Sequence, residues 1–310
     1  MEDIRTNRLD KRAPTPLIVG TMTAQPTSHF HPSQQLRLHY AAWGNGGAPP
    51  LILLHGGNDH CRNWDQVAGA LARDHHVIAS DLRGHGDSDQ SASGEYSVNA
   101  HVFDLAELVR TQDLAPVTII GHSFGGKVAL RYAGLYPEAV ARLVSIEGHG
   151  APPGWEAERQ AVPIEQRIRT FFDLQRKRAA ATPRRYATIE EAITRLSARH
   201  PHLSAELARH LTVHGTHRHA DGSYGWKLDR RAGLMSPVDI STEDTHRLWG
   251  RIACPVLLVR GGDSPAPDPA EDGSLAHFQD AQAAVIAGAG HWVHHDRLDA
   301  FLELMRGFLG

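Results

Sequence analysis

Gly121-His122-Ser123-Phe124-Gly125 sets a serine between glycines, where the apolar run 115–123 stops and the helical pattern 125–136 begins. A serine hydroxyl near neutral pH is a poor nucleophile unless a base takes its proton and a third group orients that base. A strand, a Gly-x-Ser-x-Gly turn and a helix in that order are the setting of a nucleophile elbow. There the serine sits in a sharp, strained turn, and side chains two positions to either side would collide. The next backbone N–H, that of Phe124, opens the helix and points its dipole at a developing oxyanion. A flexible turn with a capping serine is the plainer reading of the same five residues. Placement between a buried strand and a helix favours the elbow.

With 22 histidines in the chain, a base is identified only by position. His291 follows the apolar run 282–288 in the short loop AGAGHW, just before the last helical pattern. Two carboxylates end strands and could orient it. Asp263, in LLVRGGDSP, lies 28 positions before His291, and Glu147, in VSIEGHG, lies 24 positions after Ser123. Strand order favours Asp263, with Glu147 the alternative. The carboxylate left over would tie down a loop, and His149 could pair with Glu147.

These residues need a frame to bring them together. The chain has 310 residues, 41% hydrophobic and 22% charged, enough to bury a large core. Short apolar runs at 36–43, 50–57, 76–81, 115–123, 142–148, 254–262 and 282–288 alternate with helical patterns at 64–73, 98–112, 125–136 and 297–309. That alternation predicts an α/β fold with a mostly parallel sheet covered by helices on both faces. Residues 151–250 break the rhythm: helical stretches at 164–181, 188–200 and 203–214 precede a hairpin turning at Asp221-Gly222. The predicted organisation is a loose arm at 1–24, a core formed by 25–150 and 251–310, and an insertion at 151–250.

The net charge of −3 gives no reason to expect a nucleic-acid or acidic-membrane partner. No apolar run approaches the roughly 20 residues that span a bilayer. The start, MEDIRTNRLDKR, is charged without an apolar stretch behind it, unlike a secretory leader. Two cysteines, Cys61 and Cys254, form neither a disulfide framework nor a metal motif. The expectation is a cytoplasmic protein without membrane attachment, whose oligomeric state is not legible.

The chain resembles the α/β-hydrolase superfamily through LLHGG (53–57), DLRGHGDSD (81–89), GHSFGG (121–126), PVLLVRGGDS (255–264) and GAGHW (288–292), in the family's order on both sides of the insertion. The resemblance implies Ser123 as nucleophile, His291 as base, and Asp263 at the usual place of the acid; some members use an acid where Glu147 stands. It implies an oxyanion donor from HGGNDH, the N–H of Gly57 with that of Asn58 as runner-up, beside the N–H of Phe124. His55 is expected to support the loop rather than react, and Asp81, Arg83 and Asp87 to lock the 81–89 loop. The insertion, after the family's sixth strand, is expected to be a cap.

The implied activity is hydrolysis of a small-molecule carboxylic ester or lactone through an acyl-enzyme, with no cofactor. The same triad also suits thioester cleavage and C–C bond hydrolysis. A non-catalytic small-ligand receptor on this fold is the alternative of another class. His210, His214, His217 and His219 include one pair spaced to share a helix face, as metal ligands do, but no acidic or cysteine partner is spaced with them and no metal is expected. The basic run Arg167, Arg169, Arg176, Lys177, Arg178, Arg184 and Arg185 reads as a solvated helix side. Trp155, Phe171, Phe172, Tyr186, Trp226 and Trp249 read as cap core.

Overall fold

The computed structural model describes residues 25–150 and 154–310, so the arm expected at 1–24 lies outside the described residues. Eight strands make the main sheet: β1 (Thr27–Ser33), β2 (Leu36–Trp43), β3 (Pro50–Leu54), β4 (His76–Ser80), β5 (Val117–His122), β6 (Val140–Ile146), β9 (Val256–Gly261) and β10 (Ala281–Ile286). Their order across the sheet is β1-β2-β4-β3-β5-β6-β9-β10. The first two pairings, β1 with β2 and β2 with β4, are antiparallel; from β4 to β10 every pairing is parallel. This is the α/β-hydrolase arrangement that the alternation of runs predicts.

Successive side chains of β3 point to opposite faces, and both faces are covered. Ile52 and Leu54 enter one core with Val102 and Leu105 of α2 (Val98–Thr111) and Val128 and Tyr132 of α3 (Phe124–Leu135). Leu51 and Leu53 enter the other core with Val67 and Leu71 of α1 (Asp65–Leu71) and Phe301 and Met305 of α10 (Leu298–Leu309). A continuous apolar run is therefore the right chemistry for β3. A short helix, α9 (Val293–Asp296), precedes α10.

Between β6 and β9 lie α4 (Trp155–Ala161), α5 (Ile164–Ala180), α6 (Ile189–Arg199), α7 (Ala205–Gly215), the hairpin of β7 (Thr216–Arg218) and β8 (Tyr224–Trp226), and α8 (Thr242–Trp249). Gly222 takes the left-handed conformation (φ 85°) that the expected hairpin turn requires. The last of these helices, α8, packs against α3. Trp249, expected among the cap aromatics, instead packs in the α2–α3 core and stacks on Phe278 with ring centroids 5.0 Å apart. Tyr186 is buried and its hydroxyl accepts from Trp226 Nε1 at 3.3 Å, while Phe172 is exposed. Both cysteines are buried and unpaired.

Candidate active site

Ser123 stands between β5 and α3 with φ 52° and ψ −117°, a conformation that side chains rarely adopt. The flanking glycines are there because nothing larger fits. A Cβ at Gly121 would lie 2.5 Å from the carbonyl oxygen of Gly125, and one at Gly125 would lie 2.5 Å from that of Leu54. The turn is fastened to the neighbouring strand by Ser123 N, which donates to Ile146 O at 2.7 Å. Phe124 is the first residue of α3, so its N–H belongs to the group a helix leaves without an internal partner.

His291 sits beyond β10 and is held from two sides. Its Nδ1 lies 2.5 Å from Glu147 Oε2. Its carbonyl oxygen accepts from His122 Nε2 at 2.9 Å, and the two imidazoles stand 4.7 Å apart between centroids. His122, the variable residue of the elbow, thus anchors the histidine loop beside Ser123; nothing in the five-residue motif predicts that. No hydrogen bond joins Ser123 Oγ to the imidazole in this state, and the His291 side chain is 47% exposed.

The structure sets Glu147, not Asp263, against His291. Glu147, immediately after β6, has a fully buried carboxylate and a positive φ of 51°. Besides His291 it accepts from Gly261 N at 2.9 Å and Ser264 Oγ at 2.8 Å. Asp263, favoured on strand order, has an exposed side chain, and its backbone N–H is what reaches the histidine loop, donating to Ala289 O at 2.9 Å. The cause is the turn after β9. Ser264 N donates back to Gly261 O at 3.1 Å, which directs residue 264 inward and residue 263 outward. Gly261 has no space for a side chain because the backbone of Gly290 and Ala289 crosses over it.

An ionised carboxylate only accepts, so the proton between Glu147 and His291 sits on Nδ1. That fixes the tautomer in which Nε2 keeps its lone pair, the form that can take a hydroxyl proton. His149 does not join Glu147 as expected; its Nε2 is 3.2 Å from Asp272 Oδ2.

The loop after β3 holds the second expected oxyanion donor. Asn58 N, the runner-up, is already committed: it donates to His85 Nε2 at 3.2 Å, and Asn58 has φ 61°. Gly57 is exposed, and nothing lies within 4 Å of the side it presents. His55 does brace this loop, donating from Nδ1 to Gly56 O at 2.6 Å and accepting from Leu82 N at 3.0 Å. Burial drives its pKa down to about 3, so it is neutral. The 81–89 loop is locked through Asp81 and Arg83, while the Asp87 carboxylate turns to Lys227 of the insertion. Asp81 accepts from Cys61 N at 2.7 Å and Asp87 N at 2.9 Å and pairs with His39, while Arg83 grips Asp104 with two bonds of 2.6 Å.

A cavity of about 270 Å³ lies between residues 93–97 and the insertion, lined among others by Tyr96, Phe171, Gln175, Arg231 and Leu234. Neither Ser123 nor His291 lines it. It is two ring contacts from the elbow, Phe124 to His101 at 4.8 Å and His101 to Tyr96 at 6.5 Å.

The model of the α/β hydrolase fold family matches residues 49–298 of the chain. Esterase YbfF of Escherichia coli is 28% identical over 265 residues, covering 84% of this chain and 92% of the relative. Esterase Rv0045c of Mycobacterium tuberculosis is 28% identical over 279 residues, covering 86% and 84%. Among solved structures, the thioesterase domain from the curacin biosynthetic pathway superposes with a TM-score of 0.77 over 91% of this chain and 99% of that one, at 22% identity, a likeness of fold. No helix among the described residues is long and apolar enough to cross a membrane.

Proposed function

The chain belongs to the α/β-hydrolase family and is a hydrolase acting on ester bonds, and from that premise we propose a serine esterase whose triad is Ser123, His291 and Glu147. The observation that carries the reading is the 2.5 Å contact between a buried carboxylate and the Nδ1 of a histidine tethered to the elbow. His291 Nε2 removes the Ser123 proton as the hydroxyl oxygen attacks the ester carbonyl. Glu147 stabilises the imidazolium that forms. The N–H groups of Phe124 and Gly57 receive the tetrahedral oxyanion. His291 then protonates the leaving alkoxide, and the acyl-enzyme is cleaved by a water that the same imidazole deprotonates.

The insertion acts in this reading as a cap over the site. Its substrate is a small carboxylic ester, open-chain or cyclic, and Tyr96, Phe171 and Leu234 offer apolar surface for one arm of it. The test is covalent. A fluorophosphonate probe should label Ser123, and p-nitrophenyl acetate should turn over with a pre-steady-state burst. Ser123→Ala should abolish both while keeping the circular dichroism spectrum. Retention of most of the turnover by a folded Ser123→Ala protein overturns the proposal.

A further inference from the structure

The four histidines between 210 and 219 part company in the fold. His217 and His219 face each other on the β7 hairpin, ring centroids 4.2 Å apart. His210 and His214, four residues apart on α7, have ring centroids 4.6 Å apart and face the main body at the start of α1. His210 Nε2 lies 3.3 Å from Asp65 Oδ2 and 3.0 Å from the carbonyl oxygen of Arg62. His214 Nδ1 lies 3.2 Å from Arg62 NH1. The Arg62 guanidinium also grips Asp65, with Nε 2.8 Å from Oδ1 and NH2 2.6 Å from Oδ2. The carboxylate that sequence spacing does not supply thus comes from another element.

One carboxylate oxygen and two imidazole nitrogens therefore converge, all within 4.8 Å of one another. We propose that Asp65, His210 and His214 form a binding site for a divalent transition ion of the Zn²⁺ class, one that staples α7 to the start of α1. Two nitrogens and one oxygen at a half-buried junction are an ordinary three-ligand set for zinc, with a water completing the tetrahedron.

The hydrogen-bond pattern shows what the ion must displace. A guanidinium only donates, so His214 Nδ1 already presents a lone pair to a cation. His210 Nε2 faces two acceptors, so it carries a proton. Binding therefore exchanges one proton of His210 and the Arg62 guanidinium for the metal, with Arg62 turning outward. In the metal-free protein Arg62 is the cation of this site, and it competes with the ion.

Calorimetric titration of the full chain with ZnCl₂ tests this, each variant first being checked for native circular dichroism. The wild type should show one saturable site. His214→Ala and Asp65→Asn should each weaken it about tenfold or more. Arg62→Gln should tighten it, because the competing cation is gone; a merely structural histidine pair gives no such gain. The double variant His217→Ala/His219→Ala should bind as the wild type does. Loaded with Co²⁺ instead, the wild type should show visible absorption of tetrahedral intensity that His214→Ala lacks. Absence of a saturable site, or a site that neither His214→Ala nor Asp65→Asn weakens, overturns the proposal. So does weaker binding in folded Arg62→Gln, or a loss in the hairpin variant as large as that in His214→Ala.

Discussion

The Glu147 carboxyl group sits among three donors, His291 Nδ1, Gly261 N and Ser264 Oγ, and no side-chain surface is left to water. In the proposed triad such a carboxylate acts by orientation and by stabilising the imidazolium. Glu147→Gln should keep the shape but favour the wrong tautomer of His291, lowering kcat on p-nitrophenyl acetate by about 10³–10⁴-fold. Asp263→Asn, at an exposed position, should leave kcat within about threefold. Equal losses in the two variants would refute the assignment of the acid. Ser264→Ala removes one hydrogen bond to the charged group and should cost about tenfold in kcat with KM little changed. Ser123, His291 and both candidate acids are legible in the sequence because each ends a strand or opens a helix. The choice between the acids is not, since it depends on which way a four-residue turn at 261–264 faces its side chains. The same holds for Asn58: only the fold shows that His85 has taken its N–H.

At the scale of elements, the elbow is set by the fit between α3 and the end of β3. Gly125→Ala would push a methyl group against the carbonyl oxygens of Leu54 and His55, at 2.5 and 2.6 Å, and neither backbone can retreat easily. Thermal melts should show a loss of about 1–3 kcal/mol, with activity falling in parallel. A second tie joins α3 to the segment before α8, where Lys127 and Arg131 bind Asp239 at 2.9 and 2.6 Å. Burial alone would raise the Asp239 pKa, but these two cations outweigh it and hold the carboxyl down at about 2. A carboxyl whose pKa is lowered on folding adds stability above its unfolded value near 4, and that stability is lost as pH falls through 2. Wild type should therefore exceed Asp239→Asn by about 1–2 kcal/mol in urea unfolding at pH 7, and the gap should shrink toward zero near pH 2. Buried strands such as β3 and β5 are legible as unbroken apolar runs. The edge strand β1 is not: its outer residues are exposed, and its turn to β2 uses Gln34 and Gln35 at φ 48° and 66° where Asn-Gly would be the recognisable pair.

Across the whole molecule the insertion touches the core at several separate places. His60 Nε2 donates to Leu211 O at 3.0 Å, Tyr96 OH donates to Asp229 at 2.6 Å, and Lys227 pairs with Asp87 at 2.8 Å. A further tie adjoins His291: Trp292 receives His202 stacked at 5.3 Å and His200 edge-on at 4.6 Å. Trp292→Ala should release the turn at 200–203, seen as faster cleavage there in limited proteolysis, while the Tyr96–Asp229 side of the insertion stays protected. Helices and a hairpin in this segment are legible from periodicity, but their docking is not, because its contacts are made by histidines, a tryptophan, a tyrosine and charged side chains whose spacing follows no period. The place of Glu147 directly after β6 has one more implication. The proposed nucleophile and acid follow adjacent strands whose last residues are in register, Gly121 opposite Ser145 and His122 opposite Ile146. Between β9 and β10 the proposed triad asks for little more than Gly261 and Ser264. In that proposal residues 265–271 lend the triad no side chain, and with Ala266 N kept on Ser264 Oγ at 3.2 Å this stretch can be diversified, by drift or by a designer's library, to recruit new substrates without retuning the chemical step.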